Sequence, residues 1–87
     1  MMKAQDVIKE LDRMTNNSIV VYKNTVTNSD ISIIKEHGIF KLLFQDFAGI
    51  IYFDGYKKNM FSDVCINMFN KDNEIARIGV GHWELIE

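Results

Sequence analysis

Two histidines and one cysteine are the side chains of this sequence that most readily bind metals or act as nucleophiles. His37 and His82 are the only histidines and lie far apart along the chain. Cys65 is the only cysteine, and the apolar residues around it in VCINMF predict a buried, unreactive thiol. The sequence therefore predicts no metal site, and a single cysteine excludes an intramolecular disulfide.

Four carboxylates could in principle supply a general acid and a general base: Asp46, Asp54, Asp63 and Glu84. All four fall at predicted strand ends, where aspartate is common because it hydrogen-bonds turn backbone. A catalytic pair also needs a concave site, and a chain of 87 residues builds only one modest core. The glycines in GVGH, residues 79–82, lie inside a strand pattern. A phosphate-binding loop would instead precede a helix whose N-terminal amides face the anion, so these glycines predict no phosphate site. The sequence predicts a protein that is not an enzyme and carries no cofactor.

The charge pattern bears on the class of partner. The net charge is −2, the pI is about 5.6, and Lys57-Lys58 is the only adjacent basic pair. Nucleic-acid binding is disfavoured, because phosphate recognition usually needs a basic stripe. No stretch approaches the roughly 20 apolar residues of a membrane span. The charged N-terminal segment does not resemble a signal peptide, so a cytoplasmic protein is expected.

The helix and strands that would carry these residues are indicated by periodicity. Apolar residues recur at helical spacing in residues 3–14, and Thr15-Asn16-Asn17 follows as a stop. Residues 18–26 predict a strand. Residues 29–38 fit either a strand turned at His37-Gly38 or a short helix, and the isoleucines favour the strand. Two further strands follow around the turn Lys71-Asp72-Asn73, with HWELIE continuing the last one.

The stretch IIYFDGYKKNMF, residues 50–61, predicts a reversal of the chain at Asp54-Gly55. A two-residue hairpin would place Ile51 opposite Lys58. A longer loop over residues 54–60 avoids that pair and leaves the tyrosine and lysines in solvent, so it is favoured. Met60 and Phe61 are expected in the core.

These patterns predict a single α+β domain over residues 1–87. One N-terminal helix packs on an antiparallel sheet of four to six strands, mostly a meander. The predicted function is a non-enzymatic protein-binding module, for example a small inhibitor of a host enzyme of the kind that phages and mobile elements carry. Its predicted contact residues combine aromatic, basic and amide side chains: Tyr52, Tyr56, Lys57, Lys58 and Asn59.

A second hypothesis is a small-ligand-binding or self-assembling oligomer with a pocket between subunits. Its basis is the apolar content of 47%, the glycines at 79 and 81, and the open edges expected of a small sheet. Under this hypothesis the partner is a second copy of the chain, joined through an edge strand to form a homo-oligomer.

Overall fold

The computed structural model describes residues 1–46 and 48–86, which form one helix and eight strands. The elements are α1 (Ala4–Arg13), β1 (Ile19–Asn24), β2 (Asp30–Glu36), β3 (Ile39–Phe44), β4 (Ile50–Phe53), β5 (Gly55–Lys58), β6 (Cys65–Asn70), β7 (Asn73–Gly79) and β8 (Trp83–Leu85). The strands make two antiparallel sheets, one of five strands in the order β4-β3-β2-β1-β8 and one of three in the order β5-β6-β7. The predicted α+β meander with one N-terminal helix is confirmed.

Helix α1 forms where the sequence predicts it. Its apolar stripe buries Ala4, Val7 and Leu11, and the polar side chains lie on the opposite side. The Asp6 carboxylate accepts a hydrogen bond of 2.9 Å from the backbone N–H of Lys3, which caps the helix start.

The core lies between α1 and the inner faces of both sheets. In β1, β2 and β3 of the five-stranded sheet, two alternate residues of each strand point inward and are buried, as the pleat of a strand requires. Aromatic rings contact one another within this mostly aliphatic core: Phe40 stacks on Phe53 at 5.1 Å between centroids, and Tyr22 packs on Trp83 at 5.1 Å.

The outward positions of the five-stranded sheet form a second surface, here named the open face. Its apolar side chains are Ile19, Val21, Ile34, Ile39, Leu43, Ile50 and Tyr52, and its polar side chains are Lys23, Asp30, Ser32, Glu36, Lys41 and Glu84. No helix or strand within residues 1–46 and 48–86 covers it, and Ile19 remains 54% exposed.

Two hairpin turns lie where the sequence predicts them. His37 and Gly38 join β2 to β3 with φ values of 53° and 78°, and Lys71 and Asp72 join β6 to β7 with 49° and 67°. Two consecutive residues with positive φ are the signature of a type I′ turn. Residues 29–38 therefore contain a strand, not a helix.

The predicted reversal at Asp54-Gly55 is wrong. Neither residue has positive φ, and the chain passes from β4 in the larger sheet to β5 in the smaller one. The backbone N–H of Asp54 donates to Phe69 O at 2.9 Å, so pairing with β6 begins at this corner. The predicted loop over residues 54–60 is consequently replaced by a strand up to Lys58.

The C-terminal prediction is also corrected. HWELIE does not continue β7, because the chain turns after Gly79 and β8 crosses to the larger sheet to pair with β1. Gly79 ends β7, and a Cβ added at Gly81 would lie 3.5 Å from Val64 Cβ. The irregularity of the small sheet lies between Met68 and Phe69 of β6.

Candidate functional site

The outer face of the three-stranded sheet carries a row of polar and basic side chains. Lys57 of β5, Asn67 of β6 and Arg77 of β7 are direct cross-strand neighbours. They point outward because the residues next to them, such as Ile66 and Met68, fill the core. The alternation of side chains along β5, β6 and β7 thus places two basic side chains and an amide in one row.

The segment after β5 folds beside this row and makes a groove of about 440 Å³. We name this site the basic groove. Its walls are Lys57, Lys58, Asn59, Met60, Phe61, Asn67 and Arg77.

Hydrogen bonds hold the wall of the groove in place. The side-chain amide of Asn59 donates to Asn67 Oδ1 at 2.9 Å, and Asn59 Oδ1 accepts the backbone N–H of Phe61 at 2.8 Å. The backbone N–H of Asn59 donates to Cys65 O at 2.9 Å. Asn67 is only 8% exposed, so the loop is anchored to a buried amide of the sheet.

The anchored loop presents two large apolar side chains to solvent. Met60 is 82% exposed and Phe61 is 92% exposed, although both were expected in the core. The prediction is wrong because the chain leaves β5 after Lys58 and turns outward before β6 begins at Cys65.

The cations of the groove differ in how they are neutralised. Lys58 Nζ lies 3.3 Å from Asp63 Oδ1, and Arg77 Nη2 lies 3.1 Å from Glu74 Oε2. Lys57 forms no ion pair within the described part of the chain, and its Nζ lies 5.4 Å from the ring centroid of Phe69. Lys57 is therefore the groove cation that is available to an external carboxylate.

The structure separates the five predicted contact residues. Lys57, Lys58 and Asn59 line the basic groove, whereas Tyr52 lies on the open face of the other sheet and is 46% exposed. Tyr56 faces inward, with its ring edge against Phe40 at 5.5 Å. Tyr56 therefore packs between α1 and the sheet and does not line the groove.

Sequence reasoning missed Asn67 and Arg77 as parts of this site. The sequence could have indicated Arg77 as a surface residue, because it alternates with Ala76 and Ile78 and must face away from the core. Asn67 alternates in the same way with Ile66 and Met68. No local signal marks its bond to Asn59, which depends on the loop that brings them together.

The residues considered for acid–base and metal chemistry are dispersed. Asp46 accepts a hydrogen bond from Ser29 at 2.8 Å, Asp54 accepts the Lys71 N–H, and Asp63 pairs with Lys58. Within residues 1–46 and 48–86, no three His, Cys, Asp or Glu side chains come together as a metal-binding group. The helix of this same part of the chain is too short and polar to cross a membrane.

Comparison with protein-family models, with curated proteins and with solved structures found no match to this chain.

Proposed function

We propose that this protein is a non-enzymatic binding module that engages a partner protein through the basic groove. Phe61 and Met60 enter an apolar pocket of the partner, and Lys57 pairs with a carboxylate at the rim of that pocket. The observation that carries the proposal is the 92% exposure of Phe61 on a loop anchored to the sheet.

The energetics favour a contact through these side chains. Burial of a fully exposed Phe or Met side chain contributes about 1.5–3 kcal/mol each. Loops that are already ordered lose little conformational entropy on binding, which raises affinity. The hydrogen bonds from Asn59 to Asn67 and Phe61 supply that order. Aromatic residues, methionine and arginine are also the types enriched where protein interfaces are formed.

A protein partner fits the groove better than a nucleic acid. Asp63 and Glu74 lie beside Lys58 and Arg77, and their negative charges would repel phosphates. Among the three cations of the groove, only Lys57 has no ion pair in the described structure. Phosphate binding needs several cations that are free to release counterions.

The test is affinity capture from bacterial lysate with and without nuclease, using the unaltered chain, Phe61→Ser and a control. The control is Ile75→Ser on β7, which removes an apolar side chain that is 45% exposed and lies outside the groove. Binding through the basic groove is supported if a protein is retained by the unaltered chain and by Ile75→Ser but is lost with Phe61→Ser. Circular dichroism of each variant checks that the fold is kept.

Two results would reject the proposal. One is a partner retained equally by all three chains, and the other is capture that disappears with nuclease. Where the captured protein is an enzyme, its activity with the unaltered chain and with Phe61→Ser shows whether binding inhibits it.

A further inference from the structure

The five methionines of this chain differ in how far solvent reaches them. Met14 and Met68 are buried in the core, and Met2 is partly buried against it. Met60 is 82% exposed in the wall of the basic groove, and Met1 is the other exposed methionine. Because oxidation of a side chain in solution follows its exposure, an oxidant should modify Met60 and Met1 before the other three.

The side chain of Met60 is not what holds its loop. The anchoring hydrogen bonds come from the side chain of Asn59 and from the backbone N–H groups of Asn59 and Phe61. A chemical change at the Met60 sulfur therefore leaves these bonds in place. It changes the surface of the groove and not the fold that builds it.

Peroxides oxidise a thioether in one two-electron step. The sulfur lone pair attacks one oxygen of hydrogen peroxide, an S–O bond forms, and the O–O bond breaks. The proton of the transferred hydroxyl passes to the departing hydroxide, which leaves as water. The sulfur has lost two electrons, and the flexible apolar side chain has become a polar sulfoxide.

The groove around Met60 is rich in hydrogen-bond donors. Lys57, Lys58 and Arg77 line it together with Met60, and among these cations Lys57 has no ion pair in the described structure. A lysine ammonium carries three donors and no acceptor, so it can bond the new sulfoxide oxygen. Oxidation thus removes an apolar contact surface and can also occupy the cation that is available to a partner.

We propose that Met60 is a site of reversible oxidation by peroxides and that its sulfoxide prevents binding at the basic groove. This inference rests on the proposed function, because it assigns to that groove a chemical means of regulation. Methionine sulfoxide reductases, one for each sulfoxide epimer, reverse the change. Two thiols then supply the two electrons and become a disulfide, and the oxygen leaves as water.

The first measurement needs no partner. The full chain is treated briefly with hydrogen peroxide and analysed by peptide mass spectrometry. We expect sulfoxide at Met60 to form at least about tenfold faster than at Met14 and Met68, because these two are buried. Near-ultraviolet circular dichroism should show an unchanged core around Trp83 when Met60 is fully oxidised. Oxidation of Met68 as fast as that of Met60, or loss of this signal, would overturn the proposal.

The second measurement repeats the affinity capture with the unaltered chain, Met60→Leu and Met60→Gln. Each chain is used untreated and after peroxide that is removed before the lysate is added. In the unaltered chain, oxidation should weaken binding of the captured protein by about tenfold to a hundredfold, the factor that burial of one methionine side chain supplies.

The two variants assign the effect to one sulfur. Met60→Leu keeps an apolar side chain that peroxide does not attack, so its capture should survive the treatment. Met60→Gln carries a polar side chain at the same position, so its capture should be weak without any oxidant. Met1 and Cys65 are present in all three chains, so their oxidation cannot produce a difference between them.

The outcomes separate this inference from the proposed function. Capture that depends on Phe61 but survives oxidation of the unaltered chain overturns the inference and leaves the proposed function standing. Equal loss in Met60→Leu overturns it as well, since another residue is then responsible. Capture that does not depend on Phe61 rejects the groove and its regulation together. Loss in the unaltered chain alone, reversed by methionine sulfoxide reductases with a dithiol, confirms the site.

Discussion

The hydroxyl of Tyr56 donates a hydrogen bond of 2.7 Å to Asp12 Oδ1 and so joins β5 to α1. The ring of the same tyrosine packs edge-on against Phe53 at 6.3 Å between centroids. One side chain therefore contacts the helix, the larger sheet and the smaller sheet. This position explains why Tyr56 belongs to the fold and not to the groove next to it.

Removal of this hydroxyl should weaken the fold modestly. Tyr56→Phe keeps the ring contacts and removes one hydrogen bond to a charged group at a partly exposed site. We expect the free energy of unfolding to fall by about 0.5–1.5 kcal/mol. Urea denaturation measures this change, and Tyr52→Phe on the open face is the matched control. An equal effect of both substitutions would show that the bond to Asp12 contributes nothing.

Tyr22 should respond in the opposite direction. Its hydroxyl is buried and has no hydrogen-bond partner among the described residues. An unpaired buried hydroxyl costs free energy, so Tyr22→Phe should leave stability unchanged or raise it by about 1 kcal/mol. Thermal unfolding gives the sign, and a clear loss of stability would indicate that the hydroxyl does have a partner.

Alkaline pH should destabilise the protein. Burial raises the pKa of Tyr56, and the bond to Asp12 raises it further. Burial likewise raises the pKa of Tyr22, with added effects of Glu10 and Asp6. The folded state thus favours the neutral phenols, and this stabilisation is complete below the ordinary tyrosine pKa of about 10 and is lost as pH rises above it.

The measurement is urea denaturation from about pH 8 to about pH 11, which brackets the ordinary tyrosine pKa. Stability should fall over the upper part of this range, and the fall should be smaller in Tyr22→Phe and in Tyr56→Phe than in the unaltered chain. Identical pH profiles for all three chains would contradict the raised pKa values of Tyr22 and Tyr56.

The anchoring of the groove can be tested at Asn67. Asn67→Ala removes the acceptor of the Asn59 amide and should release the loop that carries Phe61. We expect faster hydrogen exchange at the Phe61 amide and a loss of stability of about 1 kcal/mol, because the Asn59 amide loses its partner at a part-buried site. Exchange at Leu42 in β3 serves as an internal reference. Unchanged exchange at Phe61 would mean that the loop is held by other contacts.

Two glycine substitutions should have opposite signs. Gly38 has a φ of 78° in the β2–β3 turn, where a side chain is strained, so Gly38→Ala should cost about 1–2 kcal/mol. Gly79 ends β7 without positive φ, and an added Cβ meets no atom within 4 Å. Gly79→Ala should therefore be neutral or stabilise by about 0.4–1 kcal/mol. Equal destabilisation by both in thermal denaturation would contradict the turn geometry.

Local chemistry was sufficient to predict several parts of this fold. The helix followed from the spacing of Val7, Ile8 and Leu11, because one stripe had to face a core. The reversals at His37-Gly38 and around Lys71-Asp72-Asn73 followed from glycine, aspartate and asparagine, which are common in turns.

The errors arose where long-range pairing overrides local preference. Asp54-Gly55 is a strong turn signal, yet β4 pairs with β3 while Asp54 itself pairs with Phe69 of β6. Sequence periodicity cannot reveal that two consecutive strands belong to different sheets. The same limit applies to the site, since Met60 and Phe61 look like core residues until the loop around them is known.

The pairing of β8 with β1 has a consequence for synthesis of the chain. Strands β1 to β4 join neighbours in sequence and can assemble as soon as they leave the ribosome. The second edge of β1 stays unpaired until Trp83–Leu85 has been made, and the Tyr22 ring lacks its Trp83 neighbour until then. Until then the sheet exposes along β1 backbone that another chain can pair with. Pairing with β8 therefore replaces the six-residue edge of β1 with a three-residue edge, which offers less backbone to another chain.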